Sequence, residues 1–230
     1  MYLRAGLGRN HVPGRASLKN IVIADDHPIV RQGLRKIFSE CGGYSVVAEA
    51  SSAPELKSVL RAHHVDVLIL DISIPGGGLD ALRETKQDYP MLPVLIFSLL
   101  PEMHFGLRAY KEGAAGYLSK RSTAEELVSA VQTIVAGRPC FTKITEDLIF
   151  AQLQKKADAN LPPHHHLSNR ELHVFTSLGQ GVSLTQISTD LSLSVKTIST
   201  YRQRVLSKMQ MTTNAQIVKY IVTHGLDPMI

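Results

Sequence analysis

The sequence contains no long apolar run. No stretch of the 230-residue chain approaches the roughly 18 apolar residues that a membrane-spanning helix needs. The apolar segment at residues 90–98 is interrupted by two prolines. Residues 1–17 contain three arginines but no continuous apolar core, so we do not expect a secretory signal. These absences predict a cytoplasmic protein that does not associate with a membrane.

The chain also has few cysteines. Cys41 and Cys140 are the two in the sequence, and they are far apart and lack the spacing of metal ligands. Such usage is consistent with reduced thiols in a cytosol. We therefore expect neither a disulfide scaffold nor a metal site built from cysteines.

Charged residues are unevenly distributed along the chain. Residues 18–139 contain 13 Lys and Arg against 14 Asp and Glu, whereas residues 164–230 contain 6 against 3. A slightly acidic first domain followed by a small basic one fits a sensor joined to a nucleic-acid-binding domain. The uneven charge alone does not establish these two domains, and the sequence motifs are needed to identify them.

Residues 18–139 alternate short apolar runs with segments of helical periodicity. Apolar runs bounded by turn residues predict buried parallel strands, and the segments between them predict helices. A capping box at Thr123 and Glu126 opens the last of these helices, which Gly137 ends. The pattern predicts five βα units in a doubly wound α/β sheet of flavodoxin-like order.

Polar side chains follow the apolar runs where the predicted strands end. They are Asp25 and Asp26 after residues 20–24, Asp71 after 67–70, Ser98 after 94–97 and Lys120 after 116–118. Because ligands bind beyond the carboxyl ends of the strands in such a sheet, these groups should converge. The three carboxylates would repel one another without a cation, and a hard ion such as Mg²⁺ suits oxygen ligands. We therefore expect a Mg²⁺ site next to a site for an anion.

This set of groups suits phosphoryl chemistry. A carboxylate whose charge is partly cancelled by a metal ion can attack an incoming phosphoryl group. The phosphoryl oxygens then need donors, and the Lys120 ammonium and the Ser98 hydroxyl are available. Any one of these residues alone is more often a helix cap, a turn residue or a solvated lysine, so the prediction depends on their joint occurrence.

The first domain resembles the receiver domain of bacterial two-component response regulators in two motifs, Leu70-Asp71-x-x-x-Pro75-Gly76 and Gly113-Ala114-x-Gly116-Tyr117-x-x-Lys120. The resemblance implies that Asp71 accepts a phosphoryl group from a partner histidine kinase. It also implies that Asp26 and Asp71 bind Mg²⁺ directly, together with the backbone carbonyl of Ser73.

The same resemblance assigns roles to four further residues. Asp25 would act on the metal through water, and Lys120 would pair with the phosphate. Ser98 and Tyr117 would form a switch pair: the phosphoryl group draws in Ser98, and Tyr117 turns inward. This movement would reshape the face formed by the fourth helix and the fifth strand.

Two features depart from the receiver pattern. Gly77 alone stands between Pro75-Gly76 and Gly78-Leu79, where the family has two residues, so the loop is one residue short. Leu99 follows Ser98 where a small residue is more usual, which could narrow access to Asp71. Neither departure removes a chemical group.

Residues 140–163 lose the strand pattern and are predicted to be a linker. Residues 1–17 are predicted to be a disordered tail. The three histidines at 164–166 invite a metal interpretation. Three adjacent side chains cannot share one helix face, however, so we expect a solvated segment there.

Residues 164–230 are predicted to form a small all-α domain of four helices. Capping residues mark the helix starts at Ser168, Ser183, Ser194 and either Thr213 or Asn214. A tight turn precedes the third helix. This arrangement is typical of a helix-turn-helix domain.

The third of these helices has a core stripe and a polar face. Its apolar positions are Ile198, Val205, Leu206 and Met209. The residues predicted to contact DNA from this helix are Lys196, Thr197, Ser199, Thr200, Arg202, Gln203, Arg204 and Lys208. Polar side chains of moderate reach, bordered by cations, suit a helix that lies in the major groove. An ordinary solvated face would look similar, so the pattern alone does not decide.

The sequence of this domain is similar to that of the LuxR-type domain. The residues that carry the similarity are Leu167-Ser168-x-Arg170-Glu171, Gly181, Ile187-Ser188 and Leu191-x-Leu193-Ser194-Val195-Lys196-Thr197-Ile198-Ser199-Thr200-Tyr201. With the receiver-like domain before it, the chain resembles response regulators of the NarL/FixJ class. The resemblance implies double-stranded DNA as a partner and a homodimer on activation.

Three functions remain open at this point. The first is a transcription regulator that phosphorylation switches and that is not an enzyme. The second is a phosphatase similar to haloacid dehalogenases, but these enzymes need a second acidic residue two positions after the nucleophile, where this chain has Ser73. The third is a constitutive DNA-binding regulator whose receiver serves only for dimerisation or docking.

Overall fold

The structure is a computed structural model, and it describes residues 18–154 and 162–226. Its strands are β1 (Lys19–Ala24), β2 (Tyr44–Ala50), β3 (Val67–Leu70), β4 (Val94–Ser98) and β5 (Gly116–Ser119). The first helices are α1 (Pro28–Cys41), α2 (Ala53–Ala62), α3 (Gly78–Asp88), α4 (Glu102–Lys111) and α5 (Ala124–Val135). They are followed by α6 (Lys143–Leu153), α7 (Asn169–Gly179), α8 (Leu184–Asp190), α9 (Val195–Lys208) and α10 (Asn214–Thr223). The predicted tail at residues 1–17 and residues 155–161 of the predicted linker lie outside the described residues.

The five strands form one parallel sheet in the order β2-β1-β3-β4-β5. The chain enters at β1, winds outward on one side to β2 and then crosses back to β3, so the order reverses between β1 and β3. This is the flavodoxin-like order, and the prediction of a doubly wound sheet is confirmed. The reversal leaves an opening beyond the carboxyl ends of β1 and β3, where ligands bind in such folds.

Helices cover both faces of the sheet. Leu34 and Phe38 of α1 and Leu127 of α5 pack on one face, whereas Leu56 of α2 and Leu82 of α3 pack on the other. The residues of β3 and β4 are buried throughout. Apolar burial on both faces explains why these strands are continuous apolar runs rather than alternating ones.

The predicted helix starts are confirmed by the capping hydrogen bonds. Thr123, Ser168 and Thr213 each form a complete capping box, and the Ser183 and Ser194 side chains accept from the third backbone N–H of their helices. Each cap satisfies backbone donors that a helix start leaves free. The local sequence therefore decides where these helices begin.

Helices α7 to α10 form a second packed unit. Its interior contains Phe175 of α7, Ile187 of α8, Ile198 and Val205 of α9 and Ile217 of α10. The predicted core stripe of the third helix is confirmed, because all four of its apolar residues are buried. Between α8 and α9 the chain turns sharply at a residue with a positive φ, which completes a helix-turn-helix.

Two features of the connecting segment become visible in the structure. The predicted linker at residues 140–163 contains α6, which packs against α4. The histidines at 164–166 belong to a 3₁₀ helix, Pro163–His166, and His164 is 1% exposed rather than solvated. The solvated prediction was wrong because His164 contacts His104 of α4 and Tyr220 of α10, which are distant in sequence.

Candidate functional site

The residues predicted at the strand ends meet at the carboxyl edge of the sheet. Asp71 is buried directly after β3, and its Oδ1 accepts hydrogen bonds from the Ser98 hydroxyl (2.8 Å) and the Ser73 backbone N–H (3.0 Å). Its Oδ2 lies 2.7 Å from the Lys120 ammonium. The same ammonium lies 2.6 Å from Asp25 Oδ2. One lysine thus bridges two buried carboxylates from adjacent strands.

Burial and charge act against each other in this cluster. Burial raises the pKa of Asp25 above its ordinary value, and the hydrogen bond and charge of Lys120 only partly oppose this. For Lys120, burial alone would lower the pKa. The attraction of Asp71 and the hydrogen bonds to both aspartates outweigh burial and raise it. Lys120 therefore remains a cation and a donor at neutral pH.

Asp26 and His27 complete the acidic cluster. Asp26 Oδ1 is buried and has no hydrogen bond of normal geometry among the described residues, although His27 Nδ1 lies 2.8 Å away. Asp25, Asp26, His27 and Asp71 each offer one ligand atom, and these atoms all lie within 4.8 Å of one another. Three carboxylates with one unsatisfied oxygen fit a hard divalent cation. Receiver domains bind Mg²⁺ at an acidic pocket of this kind.

His27 was absent from the sequence prediction. It follows the two aspartates directly, its backbone N–H donates to Asp25 Oδ1 at 2.9 Å, and it precedes the first helical residue of α1. Its position next to Asp26 could have indicated a role in the acidic cluster. A histidine directly before a helix can have many other roles, however, so the position alone did not identify it.

The predicted switch residues lie next to this cluster. Ser98 is buried and already donates to Asp71. Tyr117 is 2% exposed, and its hydroxyl donates to the backbone carbonyl of Leu100 at 2.8 Å. Burial, followed by the charge of Asp71, raises the pKa of Tyr117 well above its usual value. Tyr117 thus lies inside the protein in this structure, with its hydroxyl held by the backbone just before α4.

The shortened loop after Asp71 uses the freedom of its glycines. Gly76 and Gly77 have φ values of 92° and 89°, which L side chains rarely adopt. A Cβ on Gly78 would lie 2.5 Å from the Cα of Ile72 and 2.7 Å from the Asp71 carbonyl oxygen. The loop therefore turns tightly over the backbone that carries Asp71. Leu99, the second departure from the family, is 39% exposed.

The glycine loop also contacts the second unit of the chain. Arg170 of α7 donates to the carbonyl of Gly76 (3.1 Å) and pairs with Asp80 of α3 (2.7 Å). The Gly76 N–H donates to the carbonyl of Asp190 at the end of α8 (2.7 Å). No local sequence pattern indicates these contacts, since they join residues 90 or more positions apart.

A cleft of about 250 Å³ extends from the acidic cluster into this interface. Asp26 and Ser73 line one end, and Leu172, His173 and Thr176 of α7 line the other. The cleft thus lies between the acidic cluster and α7.

We expect His173 to make the stability of this interface depend on pH. Burial, followed by the nearby charge of Arg170, lowers the pKa of its imidazole to about 4. In the unfolded chain the imidazole takes up a proton below about pH 6.5, whereas the folded chain keeps it neutral until about pH 4. Stability should thus fall as the pH decreases through this window, because the unfolded state binds more protons.

We expect His173→Gln to remove this contribution. Acidification from pH 7.5 to 5.5 should cost the wild type about 1 kcal/mol more unfolding free energy than it costs the variant. Urea unfolding at both pH values measures the difference. His63→Gln, at an exposed histidine, is the matched control and should keep the wild-type pH dependence. Equal pH dependence in wild type and His173→Gln would contradict the assignment.

The polar face of α9 is accessible in the described arrangement. The exposed members of the predicted DNA-contacting set are Lys196, Thr200, Gln203, Arg204 and Lys208, and the half-buried ones are Thr197, Ser199 and Arg202. Arg202 Nε donates to Asn214 Oδ1 at 2.8 Å, and Lys208 pairs with the buried Glu171 at 2.6 Å. These two cations are thus engaged within the domain. Their predicted phosphate contacts would compete with those bonds.

Two family matches cover most of the chain. Residues 21–132 match the response regulator receiver domain, and residues 165–221 match the bacterial regulatory proteins of the luxR family. The chain therefore belongs to the response regulators that join a receiver domain to a luxR-type DNA-binding domain. It is a two-component response regulator that acts as a DNA-binding transcription regulator.

Similar proteins of known name support this membership. The response regulator UvrY of Escherichia coli K12 is 32% identical over 209 residues, which covers 90% of this chain and 95% of the relative. GacA of Pseudomonas aeruginosa is 30% identical over 208 residues, covering 90% of this chain and 96% of the relative. These alignments include both domains, so the similarity extends to their order in the chain.

Solved structures are similar in fold to part or most of this chain. A LuxR-family response regulator from Aurantimonas is 37% identical, with a TM-score of 0.54, over 60% of this chain and 99% of that one. RcsB of Salmonella enterica, bound to the promoter rprA with the phosphomimetic BeF₃⁻, is 23% identical, with a TM-score of 0.66, over 90% of this chain and 99% of that one. At this identity the likeness to RcsB concerns the fold alone. In the part of the chain that the structure describes, no helix has the length and apolarity needed to cross a bilayer.

Proposed function

We propose that phosphorylation of Asp71 by a partner histidine kinase switches the DNA binding of this regulator. The observation that carries the proposal is the setting of Asp71, whose two carboxylate oxygens face the Ser98 hydroxyl, the Ser73 N–H and the Lys120 ammonium. Donors that satisfy a carboxylate here can also satisfy the oxygens of a phosphoryl group attached to it.

The acidic cluster is proposed to hold Mg²⁺. Asp26 and Asp71 would bind the ion directly with the Ser73 carbonyl, and Asp25 would act through water. The ion would offset the negative charge that separates a carboxylate from an incoming phosphoryl group. The unsatisfied Asp26 oxygen and the short distances within the cluster support this assignment.

Four residues of the chain would have separate roles in the phosphoryl transfer. One oxygen of Asp71 attacks phosphorus, and the bond from phosphorus to the donor breaks in the same transfer. Lys120 then shifts from neutralising two carboxylates to pairing with a phosphoryl oxygen. Ser98 donates to a second oxygen. The inward Tyr117 fills the space behind Ser98, with its hydroxyl held by Leu100 just before α4.

The signal is proposed to leave the site by two routes. The first is the face of α4 and β5, through the contact between Tyr117 and Leu100. The second is the glycine loop, which Arg170 and the Asp190 carbonyl hold against the DNA-binding unit. Since the polar face of α9 is already exposed, phosphorylation would act by favouring a homodimer on two half-sites of double-stranded DNA rather than by uncovering that helix.

The remaining assignments follow from this function. We take residues 18–139 as the receiver domain, 140–163 as the linker and 164–230 as the DNA-binding domain. A regulator fits the residues better than a phosphatase does, because Ser73 stands where such an enzyme needs a second acid. Its DNA partner is consistent with a location in the cytoplasm.

The proposal is tested by selecting binding sites for the full chain from random duplexes, with and without acetyl phosphate and Mg²⁺. Affinity for the selected duplex and the mass of the protein in solution are then measured in both states. We expect tighter binding and a larger mass after phosphorylation, and no response in Asp71→Asn. If phosphorylation changes neither affinity nor mass, the constitutive DNA-binding regulator becomes the better explanation.

A further inference from the structure

A cluster of histidines lies where the receiver meets the DNA-binding unit. His104 comes from α4, whereas His164 and His165 come from the 3₁₀ helix that leads into α7. One ring nitrogen from each of the three lies within 4.8 Å of the others. Neither the proposed phosphorylation nor the proposed DNA binding uses these side chains. His104 and His164 are 60 positions apart in the sequence, so the cluster forms only when the chain folds.

His164 is the central member of the cluster. It is 1% exposed, and its Nε2 has no hydrogen-bond partner among the described residues. Its Nδ1 lies 3.0 Å from the Tyr220 hydroxyl. Leaving a buried polar nitrogen without a partner costs free energy, so such an atom requires an explanation. A metal ion on Nε2, with Nδ1–H donating to Tyr220, would satisfy both nitrogens.

The protonation state of the cluster suits a metal. Burial, followed by the charge of neighbouring groups, lowers the pKa of His164 to about 3 and that of His165 to about 4. Burial also lowers the pKa of His104, against a hydrogen bond to the backbone of His224 that raises it. These shifts favour the neutral imidazole, which keeps a lone pair and is the form that binds metals.

Ordinary packing is the competing explanation. The rings of His104 and His164 have centroids 5.1 Å apart, and those of His164 and His165 are 4.6 Å apart, which are common distances for aromatic contacts. Arg108 adds a nearby positive charge, although its guanidinium donates to the His165 carbonyl (2.9 Å) rather than to a ring. Packing explains the distances but leaves the Nε2 of His164 without a partner.

We propose that His104, His164 and His165 form a binding site for a transition metal ion of the Zn²⁺ class. Three imidazole nitrogens are a common ligand set for Zn²⁺, and a water molecule would complete a tetrahedron. The bound ion would tie α4 of the receiver to the entry of the DNA-binding unit. Metal availability would thereby add to the free energy that keeps the two units docked.

The test is a titration of the full chain with Zn²⁺ against a chromophoric chelator, in excess Mg²⁺ to occupy the acidic cluster. We expect one tight site in the wild type. His104→Gln and His165→Gln should each weaken it by about tenfold or more, and Tyr220→Phe by less, because it removes only the support of a ligand. His64→Gln, at an exposed histidine far from the cluster in sequence, is the control and should bind as the wild type does.

Two further measurements keep the test decisive if a variant folds poorly. Circular dichroism identifies such a variant, and Co²⁺ bound to the wild type should show the visible absorption of a tetrahedral site. Zn²⁺ should also raise the melting temperature of the wild type more than that of His104→Gln. Equal affinity in wild type and His104→Gln, or loss of the tight site in His27→Gln, would overturn the proposal. Neither result depends on whether Asp71 is phosphorylated.

Discussion

Asp71→Asn should abolish phosphorylation of this chain. The amide keeps the size of the carboxylate and can still accept from Ser98, but its nitrogen and oxygen are poor nucleophiles and it carries no charge for Mg²⁺. Mass spectrometry after treatment with acetyl phosphate and Mg²⁺ should find one phosphate on the wild type and none on the variant. Because the labelling is all or none, this is the largest effect that we expect from a single side chain.

A matched variant distinguishes the loss of the phosphoryl acceptor from a general effect of replacing an aspartate with asparagine. Asp88→Asn makes the same change at an exposed aspartate at the end of α3, and it should be labelled as fully as the wild type. A chelator should prevent labelling of both. The assignment of Asp71 fails if Asp71→Asn takes up phosphate to the wild-type extent, or if removing the divalent cation leaves labelling intact.

The sequence could predict the sheet and the contents of the acidic cluster. Runs such as residues 67–70 are apolar because they are buried on both faces, and a strand of that kind is visible without any partner. The convergence of Asp25, Asp71 and Lys120 then follows from the topology of a parallel sheet. Helix starts were equally predictable, since a cap at Ser168 or Thr123 depends on residues only three positions away.

Contacts between the two units could not be predicted in this way. Arg170 and Asp80 are ordinary surface charges until the two units dock, and no local period reports their pairing. The same reason explains the error at His164, whose burial depends on His104 and Tyr220 from other parts of the chain. A run of histidines next to prolines is typical of a solvated linker. Only the tertiary structure turns that run into part of an interface.

The glycine loop contacts both the backbone of the phosphorylation site and the DNA-binding unit. This segment is one residue shorter than the family pattern, its Gly78 lies against the backbone of Asp71 and Ile72, and its Gly76 is bonded to the DNA-binding unit on both its N–H and its carbonyl. A loop so closely held on both sides has little freedom to absorb a movement at Asp71. The glycine loop thus contacts both the backbone next to the phosphorylation site and the DNA-binding unit, whereas Arg108 and His104 of the α4 face contact the DNA-binding unit.

On α9, Gln203→Ala should change which DNA sequence is preferred, whereas Arg204→Ala should change how strongly any DNA is bound. Both side chains are exposed, so neither substitution should affect folding. Gln203 can form two hydrogen bonds with adenine, and its loss should cost about 1–3 kcal/mol on the cognate duplex and relax preference at one base pair. The Arg204 guanidinium lies 5.9 Å from the centroid of the Tyr201 ring. We expect it to contact a phosphate, and such a contact gives affinity without sequence information.

Binding curves on cognate and scrambled duplexes at several salt concentrations separate these two roles. Arg204→Ala should weaken both duplexes alike and reduce the slope of affinity against salt by about one ion. Lys219→Ala removes one positive charge from an exposed position on α10 and should leave the preference and the slope close to wild type. Equal losses on both duplexes for Gln203→Ala, or a new preferred sequence for Arg204→Ala, would mean that α9 presents a different face to the groove.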